Sequence, residues 1–313
     1  MILTYKIKHN RDFNRELNIA KTIAIFAINN RDKLTSKHVK HLGLKSMISN
    51  QILRKYGRNN KCKNVKNVNL IIPNQGIRLN KDNREIHVPC LKLKLNYYFP
   101  NNFAKINQIE INNEYTMISC EFIESPLIIQ EKNLGVDLNT TGHCAVVGIP
   151  HTGKVYKMGK QCNHIHKKYK NIRKKLQKNK KFSKLKKIKN REKRIIKDIN
   201  HKISKKIVNI AKENKCNINL ENLKGIRKAK TSKKFRYSLN SWSFYQLGEM
   251  IRYKAKKLGV SISYIDPRYT SQSCSECGHL GKRNGKSFKC DYCNHVDHAD
   301  SNAAFNIALA TNG

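Results

Sequence analysis

Acidic residues are scarce in this chain. Only 21 Asp and Glu stand against 64 Lys and Arg in 313 residues, a formal net charge of +43. Codon bias toward Lys, Asn and Ile would raise lysine but leave acids in place, so the deficit itself needs a reason. Charge of this size repels itself unless an anionic partner screens it, and nucleic acid is the simplest such partner. Long apolar runs are missing too. The longest, TIAIFAI at residues 22–28, falls far short of the ~20 residues of a membrane span and reads as a helix face. The opening MILTYKIKHN lacks the apolar core and cleavage site of a secretory signal. A cytoplasmic protein, associated with nucleic acid and not with membranes, is expected. No internal repeat is found.

A chain of this length exceeds what one core comfortably fills, and more than one domain is expected. ILTYKIKH at residues 2–9 alternates like a strand, and residues 10–58 carry apolar positions at helical spacing, among them Leu17, Ala20, Ile23, Leu42, Ile48 and Leu53. From Val65 to about Glu124 the period becomes two. In LKLKLNYYF, Leu91, Leu93, Leu95, Tyr97 and Phe99 share one face. This predicts a small antiparallel sheet or barrel, over residues 1–10 and 61–130, with a helical insertion at 11–60.

At Leu134 the grammar changes again. LGVDL, HCAVVGI and KVYKMGK predict three strands, and a long basic helical segment at 163–214 follows, striped by Leu185, Ile188, Ile195, Ile199, Ile203, Ile207 and Ile210. Then come the strand CNINLENL, a helix over 243–258, the strand VSISYID and the closing helix NAAFNIALA. That order predicts an α/β layer with a mixed sheet over 131–313. The lysines of 163–214 suit phosphate contacts or, more plainly, a solvated helix face.

Four of the ten cysteines, Cys274, Cys277, Cys290 and Cys293, have the spacing C-x2-C-x12-C-x2-C. Each Cys-x-x-Cys turn aims two thiolates at one point, and two such turns close a tetrahedral shell around Zn²⁺. A structural zinc ribbon is expected at 271–297. Its shell is full, so His279, His295 and His298 are expected at the surface or facing phosphate. Cys62, Cys90, Cys120, Cys144, Cys162 and Cys216 are scattered singly and are expected as buried thiols.

In so acid-poor a chain, carboxylates at strand ends stand out. Asp137 lies in LGVDL, Glu221 ends INLE and Asp300 precedes the last helix. If the first and fourth strands are neighbours, Asp137 and Glu221 lie side by side, and the last helix can bring Asp300 across. Such a trio repels itself unless cations intervene, and two Mg²⁺ suit all-oxygen donors. Each residue alone also has a plainer reading. Asp137 could be a turn-former, Asp300 a helix cap, and Asp297 is a rival for the third position.

GVDLNTTGHCAVV, INLENLKG, DPRYTSQSCSECGH and CDYCNHVDHADSNAAFNIA together closely resemble the TnpB/OrfB family of insertion-sequence proteins, relatives of type V CRISPR effectors, over Leu134 to Ala310. The resemblance implies a RuvC-like, RNase H-like nuclease domain with the ribbon inserted before its last helix. It matches Asp137, Glu221 and Asp300 to the catalytic carboxylates and favours Asp300 over Asp297. It also implies that the N-terminal strands and helices are wedge and recognition domains. The expected partners are a guide RNA and a double-stranded DNA target, and the expected activity is RNA-guided DNA cleavage. A non-cleaving RNA-guided binder and a transposase acting directly in strand transfer are the alternatives. Phe235, Arg236, Tyr237 and Trp242 in KKFRYSLNSWSFY suit stacking on unpaired bases, with core packing the alternative for Trp242.

Overall fold

A computed structural model of the chain describes residues 1–31, 34–140, 142–223 and 244–310. It divides into two compact units, Met1–Ile123 and Glu124–Gly313.

In the first unit, strand β1 (Ile2–Lys8) leads into helices α1 (Asn14–Asn29) and α2 (Ser46–Gly57), which flank a 3-10 segment at Ser36–Leu42. Strands β2 (Leu70–Pro73), β3 (Arg78–Asn80), β4 (Glu85–Val88), β5 (Leu93–Asn96), β6 (Phe103–Ile111) and β7 (Tyr115–Phe122) follow. The helices are therefore an insertion between β1 and the remaining strands. Among the described residues the strands pair as two antiparallel sheets, β1-β7-β6-β2 and β3-β4-β5, that share one core. The LKLKLNYYF segment buries the predicted face, with Leu91, Leu93, Leu95, Tyr97 and Phe99 all inward. Only Leu93–Asn96 is strand, because Pro89–Leu91 forms a 3-10 turn and Lys92 takes a left-handed conformation. Tyr97 and Phe99 instead join Tyr5, Phe103 and Phe122 in an aromatic cluster.

The second unit is α/β. Strands β8 (Lys132–Leu138), β9 (Ala145–Ile149) and β10 (Lys154–Met158) form an antiparallel meander. Strand β11 (Cys216–Glu221) then adds parallel to β8, and β12 (Ile262–Ile265) parallel to β11, for the order β10-β9-β8-β11-β12. Between β10 and β11 the basic segment is three helices, not one: α3 (Lys160–Lys178), α4 (Phe182–Ile188) and α5 (Arg191–Glu213). The break at Asn179–Lys181 includes Lys180 with positive φ. It takes Leu185 and Ile188 out of the core stripe and leaves them half-buried, and Ile196 is buried more deeply than Ile195. Helix α6 (Phe244–Leu258) precedes β12.

Period-two geometry assigns the two faces of this sheet. Leu134, Val136, Ile218 and Leu220 share a hydrophobic core with Ile199, Ile203 and Ile207 of α5 and with Phe244, Leu247 and Ile251 of α6. Gly135, Asp137, Gly148 and Asn219 fall on the opposite face, which the last helix, α7 (Ala299–Leu309), covers. Gly135 and Gly148 are cross-strand partners. A methyl on Gly135 would collide with the backbone of Ala304 and Ala308, and one on Gly148 would press on Ala304 and Phe305. The run SNAAFNIALA is small-residue-rich for the matching reason: α7 lies directly on the strands. Asn219 completes the seat by donating its amide to the carbonyls of Ile307 (3.0 Å) and Ala308 (3.2 Å) near the end of the helix.

No described helix is long and apolar enough to cross a membrane. Of the six scattered cysteines, Cys120, Cys144, Cys162 and Cys216 are buried, whereas Cys62 and Cys90 are only half-buried.

Candidate active site

Strand register brings the first two carboxylates together. Leu220 pairs with Val136 on adjacent parallel strands. One residue further along each strand, Glu221 and Asp137 point to the face that α7 covers. Asp300 lies in the first turn of α7, preceded by His298, whose Nδ1 accepts a hydrogen bond from the Asp300 backbone N–H at 3.3 Å. Asp300 is thus the second residue of the helix, not its cap, and His298 takes the capping position. The His298 ring is half-buried instead of projecting from the surface. The rival Asp297 sits in the short strand just before α7 and accepts a hydrogen bond from the neighbouring backbone N–H of His298 at 2.6 Å.

The three acids share an electrostatic environment. Asp137 is almost wholly buried, and its carboxyl is pushed up to about 7, first by desolvation, then by the field of Glu221, with Asp300 adding to it. The amide of Asn139, 2.6 Å from Asp137 Oδ2, offsets part of that cost. Burial also raises Glu221, against a 2.6 Å hydrogen bond donated by the Thr270 hydroxyl. Asp300 is completely buried and ion-paired. Arg283 Nη2 lies 3.2 Å from its Oδ1 and Lys286 Nζ 2.5 Å from its Oδ2. Two histidines also feel Asp300, His143 and His298, and burial lowers both. Buried carboxylate oxygens, with Asp137 held in the field of the other two acids, are what a hard divalent cation stabilises, so the residues fit Mg²⁺.

Among the described residues, the group whose possible metal-ligand atoms all lie within 4.8 Å of one another is Cys274, Cys277, Cys290 and Cys293. The Cys274–Cys293 and Cys277–Cys290 sulfurs are 3.6 Å apart. The edge of a tetrahedron with Zn–S bonds of about 2.3 Å is about 3.8 Å, so this cluster could hold zinc. The three carboxylates do not form so tight a set. The ribbon is a three-stranded antiparallel sheet of β13 (Lys282–Asn284), β14 (Ser287–Lys289) and β15 (Val296–His298). Asn302 and Asn306 stitch the segment before it to α7. Asn302 accepts from the Ser275 N–H at 2.9 Å and donates to the Ser273 carbonyl at 2.7 Å, and Asn306 donates to the Thr270 carbonyl at 2.9 Å. His279 stacks on Tyr292 with ring centroids 3.7 Å apart, so it faces a neighbouring ring.

Sequence alone does not single out Arg283, Lys286, Thr270 or Asn139. Their residue types are ordinary for a ribbon or a loop, and only the fold brings them to the acids. Phe235, Arg236, Tyr237 and Trp242 lie outside the described residues.

Residues 244–307, which contain α6, the ribbon and most of α7, match the family model described as Cas12f1-like, TNB domain. The chain is a relative of the TnpB-like proteins and of Cas12f1. A TnpB-like protein of Methanocaldococcus jannaschii is 41% identical over 160 residues, 49% of this chain and 57% of that protein. The CRISPR-associated endodeoxyribonuclease Cas12f1 of Sulfoacidibacillus thermotolerans is 43% identical over 114 residues, 35% of this chain. That alignment spans 26% of the Cas12f1 chain, so the likeness to these relatives covers only part of each. Among solved structures, a Cas12f1 chain from a complex with sgRNA and target DNA aligns over 99% of both chains, with TM-score 0.50 and 18% identity. At that identity the likeness to Cas12f1 shows the fold.

Proposed function

We propose that this TnpB-like chain is an RNA-guided DNA endonuclease, whose second unit is a RuvC-like, RNase H-like nuclease domain with an inserted zinc ribbon. The observation that carries the reading is the convergence of Asp137 and Glu221, on one face of adjacent parallel strands, with Asp300 in the first turn of the helix lying on that face. A meander followed by two parallel strands supports the RNase H-like assignment; the endodeoxyribonuclease name of the Cas12f1 relative supports DNA as substrate, and a further relative, the putative RNA-guided DNA endonuclease InsQ of Escherichia coli, supports RNA guidance. Under this reading residues 131–313 are the nuclease domain, residues 1–10 and 61–130 the wedge, and 11–60 the recognition insertion.

Asp137, Glu221 and Asp300 would hold the Mg²⁺ ions. Two ions bound there would activate water and neutralise charge on the leaving oxygen of a phosphodiester. Asn139 and Thr270 fix the orientation of the Asp137 and Glu221 carboxylates through their hydrogen bonds. The cysteine cluster is structural, since four thiolates leave no open position. The exposed lysines of α3, α4 and α5, such as Lys168, Lys175, Lys187 and Lys205, suit the backbone of an RNA–DNA heteroduplex, which is held by shape and charge.

The test is a purified chain with its co-purifying RNA, a DNA duplex matched to that RNA, and Mg²⁺. Cleavage by wild type and its loss in Asp137→Ala are expected. Equal silence from both, with binding to the matched duplex intact, would favour a non-cleaving binder. Transfer of a labelled DNA end without RNA would favour a direct transposase.

A further inference from the structure

The ribbon does more at this site than staple the chain. Its β13–β14 hairpin delivers two cations, one from the strand and one from the turn, to a carboxylate whose side chain is only 1% exposed, and each takes a different oxygen: Arg283 Nη2 at Oδ1 and Lys286 Nζ at Oδ2. We infer that Lys286 and Arg283 are internal counter-ions of Asp300 that a divalent cation must displace, so that the ribbon hairpin sets the metal affinity of the site. The inference rests on the reading of Asp300 as a metal ligand.

Three features support displacement over a permanent bond. A buried carboxylate needs a compensating cation, and the hairpin supplies it before any metal does. A divalent cation on the same oxygens would then face two like charges at close range, which lowers its affinity. The hairpin is also anchored by its backbone, since the Lys286 carbonyl accepts from the Ala299 N–H at 2.9 Å and β14 pairs with β15, while Arg283 adds one bond within the turn, from its Nε to the Gly285 carbonyl at 3.2 Å. The Lys286 and Arg283 side chains are 38% and 31% exposed, so they can swing toward solvent or a phosphate while the hairpin stays in place. The Lys286 ammonium also lies near the turn after β8, where a methyl on Gly142 would come within 3.8 Å of it. The counter-ion therefore stands between the turn that follows Asp137 and the helix that carries Asp300.

The experiment is Mn²⁺ binding to the zinc-loaded full chain without nucleic acid, followed by the electron paramagnetic resonance of free Mn²⁺. Zinc content and melting temperature are measured on every variant. Lys286→Met should bind Mn²⁺ roughly tenfold more tightly than wild type. Lys286→Arg, which keeps the charge, should stay near wild type, and Asp300→Asn should bind weakly. Lys286→Gln serves if the Met variant does not fold, and Arg283→Gln should shift affinity in the same direction. Wild-type binding that depends on Asp300 but is unchanged or weakened in the Lys286 variants would overturn the counter-ion role alone. Binding that ignores Asp137→Asn and Asp300→Asn would overturn the metal site itself, and the counter-ion role with it.

Discussion

Replacing Asp137 by Asn should stabilise this protein, and by an amount that depends on pH. The Asp137 carboxyl rises from 3.8 to about 7 on folding, chiefly because burial and the field of Glu221 disfavour the charged form. A carboxyl that is raised in the folded state makes that state bind more protons than the unfolded chain between these two values. Stability therefore falls as pH climbs through this window and levels off above it. A rise of that size corresponds to a ceiling of about 4 kcal/mol at pH 8, and to about 1 kcal/mol at pH 4.5, where the unfolded carboxyl is only partly ionised. Asparagine is the same size and keeps an oxygen that can accept from the Asn139 amide, so packing is preserved. Thermal or urea unfolding in chelator at the two pH values measures the difference between variant and wild type. The expected gain at pH 8 is a large fraction of the ceiling, worth several degrees of melting temperature for a unit of this size, with a small gain at pH 4.5. Millimolar Mg²⁺ should erase the advantage by stabilising wild type alone. A variant no more stable than wild type at pH 8, or one whose gain is independent of pH, would refute the claim that Asp137 is destabilised by burial and its charged neighbours.

Gly135→Ala should cost at least about 1–3 kcal/mol in urea unfolding, because the added methyl meets helix backbone, which cannot swing aside as a side chain can. Asn219→Leu should cost about 1–3 kcal/mol for each carbonyl at the end of α7 left without a donor, and amide exchange in α7 should rise selectively. The purified chain should carry one zinc ion, detected by a colorimetric chelator after thiol modification, and Cys290→Ser should lose it. Thr270→Val should raise the Glu221 carboxyl further by removing the hydroxyl that donates to it, and should move the acid limb of any Mg²⁺-dependent cleavage to higher pH.

Most elements of the second unit are legible in the sequence because burial on both sheet faces leaves short runs free of Lys and Arg, LGVDL and NINL, in a strongly basic chain, and a carboxylate at or just before the end of each strand stands out. The side-by-side placement of Asp137 and Glu221 follows from period two, once β8 and β11 are neighbours. Asp300 is different. The strand before it, Val296–His298, is only three residues long and gives no periodic signal, and the likeness of DSNAA to a family pattern points to it without saying that it sits inside the helix behind a capping His298. The ion pairs of Asp300 are invisible for a related reason. Arg283 and Lys286 are basic residues in a basic chain, and no local rule separates the two that turn inward from the many that face water. The basic segment 163–214 reads as continuous because its lysine-rich stretch at 178–181 fits helical composition, whereas the left-handed Lys180 belongs to a local helix end, with the Lys181 N–H bonded back to the Leu176 carbonyl at 2.9 Å, that uses no glycine to announce it. The first unit reads as a sheet or barrel. Alternation specifies strands well, but not whether their ladders close, and the described ladders pair as two sheets.

The place of the ribbon in the chain follows from the close seating of α7. A helix that lies on two glycines has no side-chain layer to tune its height or slide, so the position of Asp300 over Asp137 must be controlled from the helix ends. At one end Asn219 grips the last carbonyls. At the other the chain enters α7 directly from β15 of the ribbon, and Asn302 and Asn306 tie the first turns of the helix to residues 270–275. A flexible loop in place of β15 would leave the first turn free to fray, since helix ends are the least cooperative part of a helix. A metal-closed ribbon is rigid without needing a large core, and that suits a connection only a few residues long. Loss of zinc should accordingly be felt at Asp300 before it is felt at Asp137 or Glu221, whose strands are held in the sheet independently of the ribbon.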